Sequence, residues 1–241
     1  MEVLIVIVLL LIVIAVVASS FQIGNSGAKE ISNASPAASP SVPNHVDSSN
    51  AVILSSLLPQ QFIVLDLETT GLNPLKDEII EFGVIRVSLD SNTHDTFQTL
   101  VKAERKVPQE ITYITGITQE MVDREGIELR DALAQFVEFI GELPIVTFNA
   151  EFDMGFVYSA ARKHGIKINN RYTCALKRAR RAWPDLPSHR LAYLAEVGKL
   201  PNDSPHRALG DCVRAMIIFT SATSKLNQKV RWSKPPVELD A

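Results

Sequence analysis

The chain has 241 residues, a formal net charge of −3 and an apolar fraction of 46%. These values suffice for one hydrophobic core of moderate size, and they exclude the global positive field of a broadly basic nucleic-acid-binding protein. The two cysteines, Cys174 and Cys212, lack the spacing of a zinc site. We therefore expect two buried, reduced thiols rather than a zinc-finger or disulfide-built protein.

The first 23 residues are predicted to form a membrane anchor. Residues 3–18 are an unbroken apolar run without a charge. As a helix this run measures roughly 24 Å, against about 30 Å for a bilayer core, and the residues up to position 23 can extend it. A cleaved signal peptide is the alternative, although only Met1 and Glu2 precede the run, where a basic segment is usual.

The orientation of the anchor is predicted from Lys29, the basic residue closest to the apolar run. By the positive-inside rule, Lys29 places the rest of the chain in the cytoplasm. We therefore expect a single-pass protein of the cytoplasmic (inner) membrane, with its folded domain facing the cytoplasm.

Three further regions follow the anchor. Residues 24–50 are rich in Ser, Asn, Ala and Pro, which predicts a flexible tether. The folded domain is expected over residues 51–226, about 175 residues, a normal size for one domain. Residues 227–241 are predicted to be a loose tail.

The domain begins with three predicted strands, at residues 61–67, 79–87 and 93–101. The gaps between them are short enough for an antiparallel meander. The later elements are predicted as a helix at 129–140, a strand at 144–148, a helix at 152–163, a strand at 168–173 and helices at 174–182, 189–197 and 205–224. This order predicts an α/β domain in which helices flank a mixed five-stranded sheet of three antiparallel strands and two more.

Two acidic residues, Asp66 and Glu68, end the first predicted strand. Because side chains alternate along a strand, both lie on one face, roughly 6–7 Å apart. Two neighbouring carboxylates at the end of an apolar strand are unfavourable unless a cation binds them, and oxygen ligands favour Mg²⁺ or Mn²⁺ over Zn²⁺. Two solvated acids at a strand end are the alternative.

Three other residues are candidates for the same site. Asp153 begins the helix after the strand at 144–148, where an acid is also a common cap or dipole partner, and Glu151 competes for the same role. His206 and Asp211 lie five residues apart near the start of the last helix, a spacing that does not predict zinc. Asp211 stands among apolar helix positions, where an unpaired carboxylate is costly to bury.

These candidates lie in three motifs, Asp66-Leu-Glu-Thr-Thr-Gly71, Asn149-Ala-Glu-Phe-Asp153 and His206-Arg-Ala-Leu-Gly-Asp211. In this order they resemble the motifs of the DEDDh 3′→5′ exonucleases, most of all the epsilon-subunit type of bacterial DNA polymerase III proofreading exonuclease. The Ile114-Thr-Gly-Ile-Thr118 segment agrees, and the resemblance extends over residues 61–221. One departure is Phe148, where family members often have histidine.

The resemblance implies an RNase H-like fold and a two-metal site. Asp66, Glu68 and Asp211 would hold one divalent cation, and Asp66 with Asp153 the second, with Mg²⁺ expected and Mn²⁺ as its substitute. His206 would be the general base that deprotonates the attacking water.

The resemblance also implies contacts to the terminal nucleotide by Thr69, Thr70, Gly71, Leu72, Thr115 and Asn149. The product would be a nucleoside 5′-monophosphate released from a 3′ end, of DNA in preference to RNA. An RNA-trimming exonuclease of the same family and a non-catalytic, membrane-tethered nucleic-acid-binding domain are the alternatives. No segment after residue 224 identifies a polymerase partner.

Overall fold

The computed structural model describes residues 22–23, 48–91, 93–200 and 206–236. The apolar run at 3–18 and most of the predicted tether lie outside these residues, so the membrane anchor and its orientation stay predictions. Among the helices of the described ranges, none combines the length and the apolar character that crossing a membrane requires.

In the described part of the chain, six strands form one sheet. Their bounds are β1 Gln22–Ile23, β2 Gln61–Thr69, β3 Ile79–Ser88, β4 Thr93–Leu100, β5 Ile145–Thr147 and β6 Tyr172–Cys174. The sheet order is β1-β4-β3-β2-β5-β6. Strands β2, β3 and β4 form an antiparallel meander, whereas β5 and β6 continue the sheet in parallel from β2. The predicted mixed sheet of three antiparallel strands and two more is confirmed.

The two-residue strand β1 was not predicted. It pairs parallel with the start of β4, with Gln22 opposite Thr93. Gln22 and Ile23 therefore belong to an edge of the sheet, which corrects the predicted end of the anchor at these two residues.

The described helices are α1 Ser48–Leu57, α2 Gln109–Thr115, α3 Gln119–Glu125, α4 Leu129–Ile140, α5 Ala150–Lys163, α6 Ala175–Ala182, α7 Leu191–Val197 and α8 Ala208–Leu226. The five helices α4 to α8 correspond to predicted ones. Helix α1 begins inside the predicted tether, so the ordered domain starts earlier than residue 51. Helices α2 and α3 have seven residues each, too few to display an apolar period, and were not predicted.

Strand β2 lies between the two faces of the domain and positions the site. Phe62 and Val64 pack on the side of α6, α7 and α8, whereas Ile63 and Leu65 pack on the side of α4 and α5. Because alternate residues share a face, Asp66 continues the series of Phe62 and Val64. The side chain of Asp66 is therefore directed towards α8.

The segment after α8 contacts the domain, contrary to the predicted loose tail. The backbone N–H of Tyr172 donates to Ser233 at 3.0 Å, and the N–H of Ser233 donates back to Tyr172 at 2.7 Å. Val230 and Trp232 pack against the core beside α8. The prediction is corrected up to Ser233, and residues 237–241 lie outside the described ones.

Candidate active site

Asp66 and Glu68 lie at the carboxyl end of β2, as predicted. The antiparallel register sets Asp66 opposite Gly83 and Glu68 opposite Glu81 on β3, and the pairing becomes irregular between Glu68 and Thr69. Both acidic side chains are half-buried. An irregular strand end of this kind turns side chains out of the regular pleat, which is common beside functional sites.

The start of α8 crosses β3 at Gly83, and this close approach places Asp211. A Cβ atom at position 83 would lie 2.4 Å from the carbonyl carbon of Ala208. The Cys212 thiol donates to the Gly83 carbonyl at 3.1 Å. Because glycine lets the helix backbone rest on the strand, Asp211 comes to the end of β2.

Three carboxylates meet at this crossing. Asp66, Glu68 and Asp211 each offer an oxygen atom, and these atoms lie within 4.8 Å of one another. Oxygen donors without a thiolate or an imidazole suit a hard divalent cation. These three predicted ligands are therefore brought together in a set that fits a divalent metal ion.

Asp153 approaches the cluster from the neighbouring element. Strand β5 pairs parallel with β2, and α5, which begins shortly after β5, carries Asp153 in its first turn. Asp153 is only 3% exposed, and after burial its charge is the largest influence on the pKa of Asp66. The competing Glu151 is exposed and pairs with Lys177 at 2.7 Å. Asp153, rather than Glu151, is thus the acid that faces the cluster.

The pKa values of Asp66, Glu68 and Asp153 are raised at this site. Burial, followed by the charges of Asp153 and Asp211, holds the pKa of Asp66 well above its ordinary value. Burial and Asp211 raise the pKa of Glu68 to about 8, although Arg207 opposes them. Burial raises the pKa of Asp153 to about 7 against nearby hydrogen-bond donors. Without a cation the cluster is therefore repulsive, and a divalent ion would relieve that repulsion.

The buried carboxylate of Glu81, which the sequence analysis did not single out, joins β3 to the start of α8. Glu81 is 0% exposed. Arg207 Nε donates to its two oxygens at 3.1 and 3.2 Å, and the backbone N–H of Ala208 donates at 3.0 Å. Gln98 on β4 donates at 2.9 Å. A single acid inside an apolar strand was the available signal, because a buried carboxylate needs partners.

Arg214 is the second residue that the sequence analysis missed. It lies on α8 one turn after Asp211 and is 3% exposed. Its Nε donates to Oδ1 of Asp211 at 2.9 Å, and Nη2 contacts the same oxygen. The signal was a basic residue three positions after an acid, within an apolar helical run.

His206 is not one of the residues that form the carboxylate cluster. Its side chain is exposed, and it is not among the described residues that offer ligand atoms within 4.8 Å of one another. Its φ angle of 56° is left-handed, a conformation that residues other than glycine adopt rarely. His206 directly precedes Arg207, whose guanidinium is bound to Glu81, so the start of α8 limits where the imidazole can lie.

The loop after Glu68 uses its threonines to hold its own shape. Thr69 Oγ1 donates to the Gly71 carbonyl at 2.6 Å. The N–H of Thr70 donates to the Glu78 carbonyl at 2.8 Å, and its hydroxyl accepts from the Glu78 N–H at 2.9 Å. Leu72 is 83% exposed. The loop thus presents an apolar side chain to solvent on a framework held by its own hydrogen bonds.

The two remaining predicted substrate contacts differ in accessibility. Thr115 is buried, and its hydroxyl donates to Ile111 at 2.9 Å and accepts from the Ile117 N–H at 3.1 Å, so it supports the end of α2. Asn149 is exposed at the start of α5, and its side chain does not cap that helix. Tyr113, at 91% exposure, is a further accessible side chain on α2.

Comparisons with known proteins agree with this geometry. The chain matches the exonuclease family (RNase_T) over residues 63–219. The DNA polymerase III subunit epsilon of Aquifex aeolicus is 34% identical over 173 residues, which cover 71% of this chain and 84% of that protein. The DNA polymerase III PolC-type protein of Caldanaerobacter subterraneus subsp. tengcongensis is 34% identical over 171 residues, which cover 71% of this chain but 12% of that protein.

The fold is shared with solved structures. The nuclease domain of 3′hExo, a DEDDh family member bound to rAMP, has a TM-score of 0.59 at 21% identity, covering 72% of this chain and 96% of that chain. This similarity confirms the expected RNase H-like α/β fold. The family match over residues 63–219 and the relative from Aquifex aeolicus confirm the resemblance seen in the motifs. The chain belongs to the exonuclease family.

Proposed function

We propose that this chain is a divalent-metal-dependent 3′→5′ exonuclease that hydrolyses the last phosphodiester bond of a DNA strand and releases a nucleoside 5′-monophosphate. One observation carries the proposal: oxygen atoms of Asp66, Glu68 and Asp211 lie within 4.8 Å of one another. An acidic cluster of this kind in a member of the exonuclease family is suited to hydrolysis of phosphodiesters with bound metal.

The residues divide into two ligand sets. Asp66, Glu68 and Asp211 would hold one ion, and Asp66 with the buried Asp153 would hold the other, with Mg²⁺ or Mn²⁺ favoured by the all-oxygen donors. When bound, these ions would supply an activated water and charge stabilisation for the attacking and leaving oxygens. The carboxylates of Asp66, Glu68 and Asp211 would hold an ion where α8 approaches β3 at Gly83.

His206 would accept the proton of the attacking water. Its exposed position lets the side chain meet a bound strand, and the neighbouring Arg207 is fixed to Glu81 by a hydrogen-bonded ion pair. A positioned general base contributes roughly 10²–10⁴-fold to a rate. Replacement of His206 by Ala is therefore expected to lower kcat by that amount and leave the metal ligands in place.

The 3′ end of the bound nucleic acid would contact the loop after Glu68 and the start of α5. Leu72 is exposed and apolar, which suits insertion against the terminal base. Asn149 is exposed beside Asp153 and can offer its side-chain amide to the sugar or base. Thr69, Thr70 and Gly71 would contact the nucleotide through the backbone, because the two threonine hydroxyls are used within the loop.

DNA is favoured as the substrate because the relatives from Aquifex aeolicus and Caldanaerobacter subterraneus are named as DNA polymerase III proteins. RNA trimming is the second candidate within the same chemistry. Selection between DNA and RNA rests on local contacts to the 2′-OH of RNA. The preference is therefore decided by comparing the rates of hydrolysis of DNA and RNA substrates.

The test uses 5′-labelled single-stranded DNA, duplex DNA with a frayed 3′ end, and RNA, each with Mg²⁺ and with EDTA. We expect products shortened one nucleotide at a time from the 3′ end, released nucleoside 5′-monophosphates, and faster hydrolysis of DNA. Asp153→Asn should remove the activity, whereas Glu151→Gln, an exposed acid in the same helical turn, should retain it. Cleavage within the strand, or equal rates with EDTA, would contradict the proposal.

We also propose that residues 3–18 hold the enzyme at the cytoplasmic membrane. The support is the unbroken apolar run and the position of Lys29. The full chain should remain with washed membranes at high salt and require detergent for release. Recovery of a shortened soluble form would indicate a cleaved signal peptide instead.

A further inference from the structure

A buried cation stands beside one of the proposed metal ligands. Arg214 Nε donates to Oδ1 of Asp211 at 2.9 Å, and Nη2 contacts the same atom. The side chain of Arg214 is 4% exposed and that of Asp211 is 13% exposed. The pair is thus largely shielded from water, unlike the solvated ion pairs on helix surfaces whose contribution is small.

The geometry leaves Asp211 able to bind two cations at once. The two contacts that Arg214 makes to Asp211 in the described residues both fall on Oδ1, so Oδ2 can face a metal ion. Two N–H groups of the planar guanidinium converge on this one oxygen, whereas a lysine ammonium group would be a flexible point charge. Asp211 is therefore held in place before any ion arrives.

The charge of Arg214 has two opposing effects on metal binding. It orders one ligand in advance, which favours binding, but it places a positive charge close to a second positive charge, which disfavours it. Ordering one aspartate fixes only two side-chain torsions, whereas charges at short range in a shielded site interact strongly. The unfavourable charge effect is therefore the larger of the two.

We propose that Arg214 is a built-in counter-cation that stabilises the carboxylate cluster in the absence of metal and sets the concentration of divalent ion at which the site fills. This inference rests on the proposed function, because it takes Asp211 as a metal ligand. It deepens that function by assigning a metal-tuning role to a residue outside the ligand set.

The test measures Mn²⁺ binding to the full chain by electron paramagnetic resonance, without substrate. Arg214→Gln is expected to bind Mn²⁺ at least tenfold more tightly than the wild type, whereas Arg214→Lys, which keeps the charge, should stay within threefold. Arg162→Gln is the matched control: it removes the same charge from an exposed position on α5 and should leave Mn²⁺ binding unchanged.

Thermal melting gives a second readout that does not depend on activity. In EDTA, Arg214→Gln should melt below the wild type because the cluster has lost its counter-cation. With saturating Mn²⁺ the two should melt at similar temperatures, so the metal-induced rise is larger in the variant. A variant that folds only with Mn²⁺ would support the proposal in the same way.

Several results would overturn the inference. They are unchanged or weaker Mn²⁺ binding in Arg214→Gln, and equal metal-induced stabilisation of the variant and the wild type. If Arg214→Gln does not fold even with Mn²⁺, then a change of tenfold or more in Arg214→Lys overturns the proposal, and a change within threefold upholds it. Absence of Mn²⁺ binding to the wild type, or binding that survives Asp66→Asn, would instead contradict the proposed metal-dependent function itself.

Discussion

Replacement of Glu68 by Gln is expected to stabilise the metal-free protein while removing its activity. Burial and the charge of Asp211 raise the pKa of Glu68 from 4.5 to about 8. Below pH 4.5 the carboxyl group is protonated in both the folded and the unfolded chain, so it has no effect on stability. Between pH 4.5 and 8 the unfolded chain has lost the proton that the folded protein retains, so stability falls as the pH rises.

The size of the effect follows from the two pKa values. A tenfold change in proton affinity corresponds to about 1.4 kcal/mol, so the unfavourable contribution of Glu68 is of the order of 3 kcal/mol at pH 7 and 5 kcal/mol above pH 8. In a domain of this size 1 kcal/mol shifts Tm by about 2–4 °C. Glu68→Gln should therefore melt roughly 6–12 °C above the wild type at pH 7 in EDTA and at the same temperature near pH 4.5.

The assay is thermal melting of the full chain in EDTA between pH 4.5 and 9, with Glu151→Gln as a control. Glu151 is exposed and paired with Lys177, so its replacement should change Tm little at any pH. Saturating Mg²⁺ should stabilise the wild type and close the gap to Glu68→Gln. Equal melting temperatures of the two proteins at pH 8, or a gap of the same size at pH 4.5 and pH 8, would refute the reasoning.

Three further predictions concern residues around the carboxylate cluster, two that hold the structure together and one that would contact the substrate. Glu81→Gln should lower the unfolding free energy by about 3 kcal/mol in urea, because one partner of a buried ion pair is lost, and the exposed Glu104→Gln should change it much less; similar losses in both variants would contradict this. Gly83→Ala should cost about 1–3 kcal/mol, because its Cβ would lie 2.4 Å from the backbone of α8. Gly155→Ala is the control, because its Cβ would be no closer than 3.6 Å to a neighbour. This variant should raise the unfolding free energy by up to about 1 kcal/mol, since alanine favours the helix. An unchanged unfolding free energy in Gly83→Ala would contradict the close approach of α8 to β3. Leu72→Ala should raise KM for an oligonucleotide several-fold at unchanged Tm, because an exposed apolar contact to the base is lost, and an unchanged KM would remove Leu72 from the substrate contacts.

The longer helices and strands could be predicted because their apolar residues recur at a regular spacing over many positions. The helix predicted at 129–140 agrees with α4, and the strands predicted at 61–67 and 79–87 lie within β2 and β3. Strand β1 could not be predicted, since its two residues pair with β4 through backbone groups. The contacts of the C-terminal segment are also non-local, because Ser233 pairs with Tyr172.

The acidic residues of the site were predictable in identity but not in geometry. The spacing of Asp66 and Glu68 predicts that both lie on one face of their strand. The approach of Asp211 to these two residues depends on Gly83, which lets α8 pack closely on β3. The sequence around Gly83 does not indicate this contact. The choice of Asp153 over Glu151 also required the fold, because both acids lie in the first turn of α5.

The partners of the site were missed for a different reason. Glu81 and Arg207 are 126 positions apart in the chain, so the sequence shows only a buried acid and an arginine whose pairing it does not reveal. Arg214 lies close to Asp211 in sequence, but a helical acid–base pair is usually a surface feature. The burial of the Arg214–Asp211 pair strengthens the interaction between their charges, and this burial is visible only in the folded protein.

The central claim is that the carboxylates of Asp66, Glu68, Asp153 and Asp211 bind the catalytic metal ions. Crystals of the protein soaked in Mn²⁺ test this claim most directly. Anomalous scattering should reveal two manganese ions, one bound by Asp66, Glu68 and Asp211 and the other by Asp66 and Asp153. Manganese bound only elsewhere, in a protein that still hydrolyses DNA 3′ ends with Mn²⁺, would contradict the account.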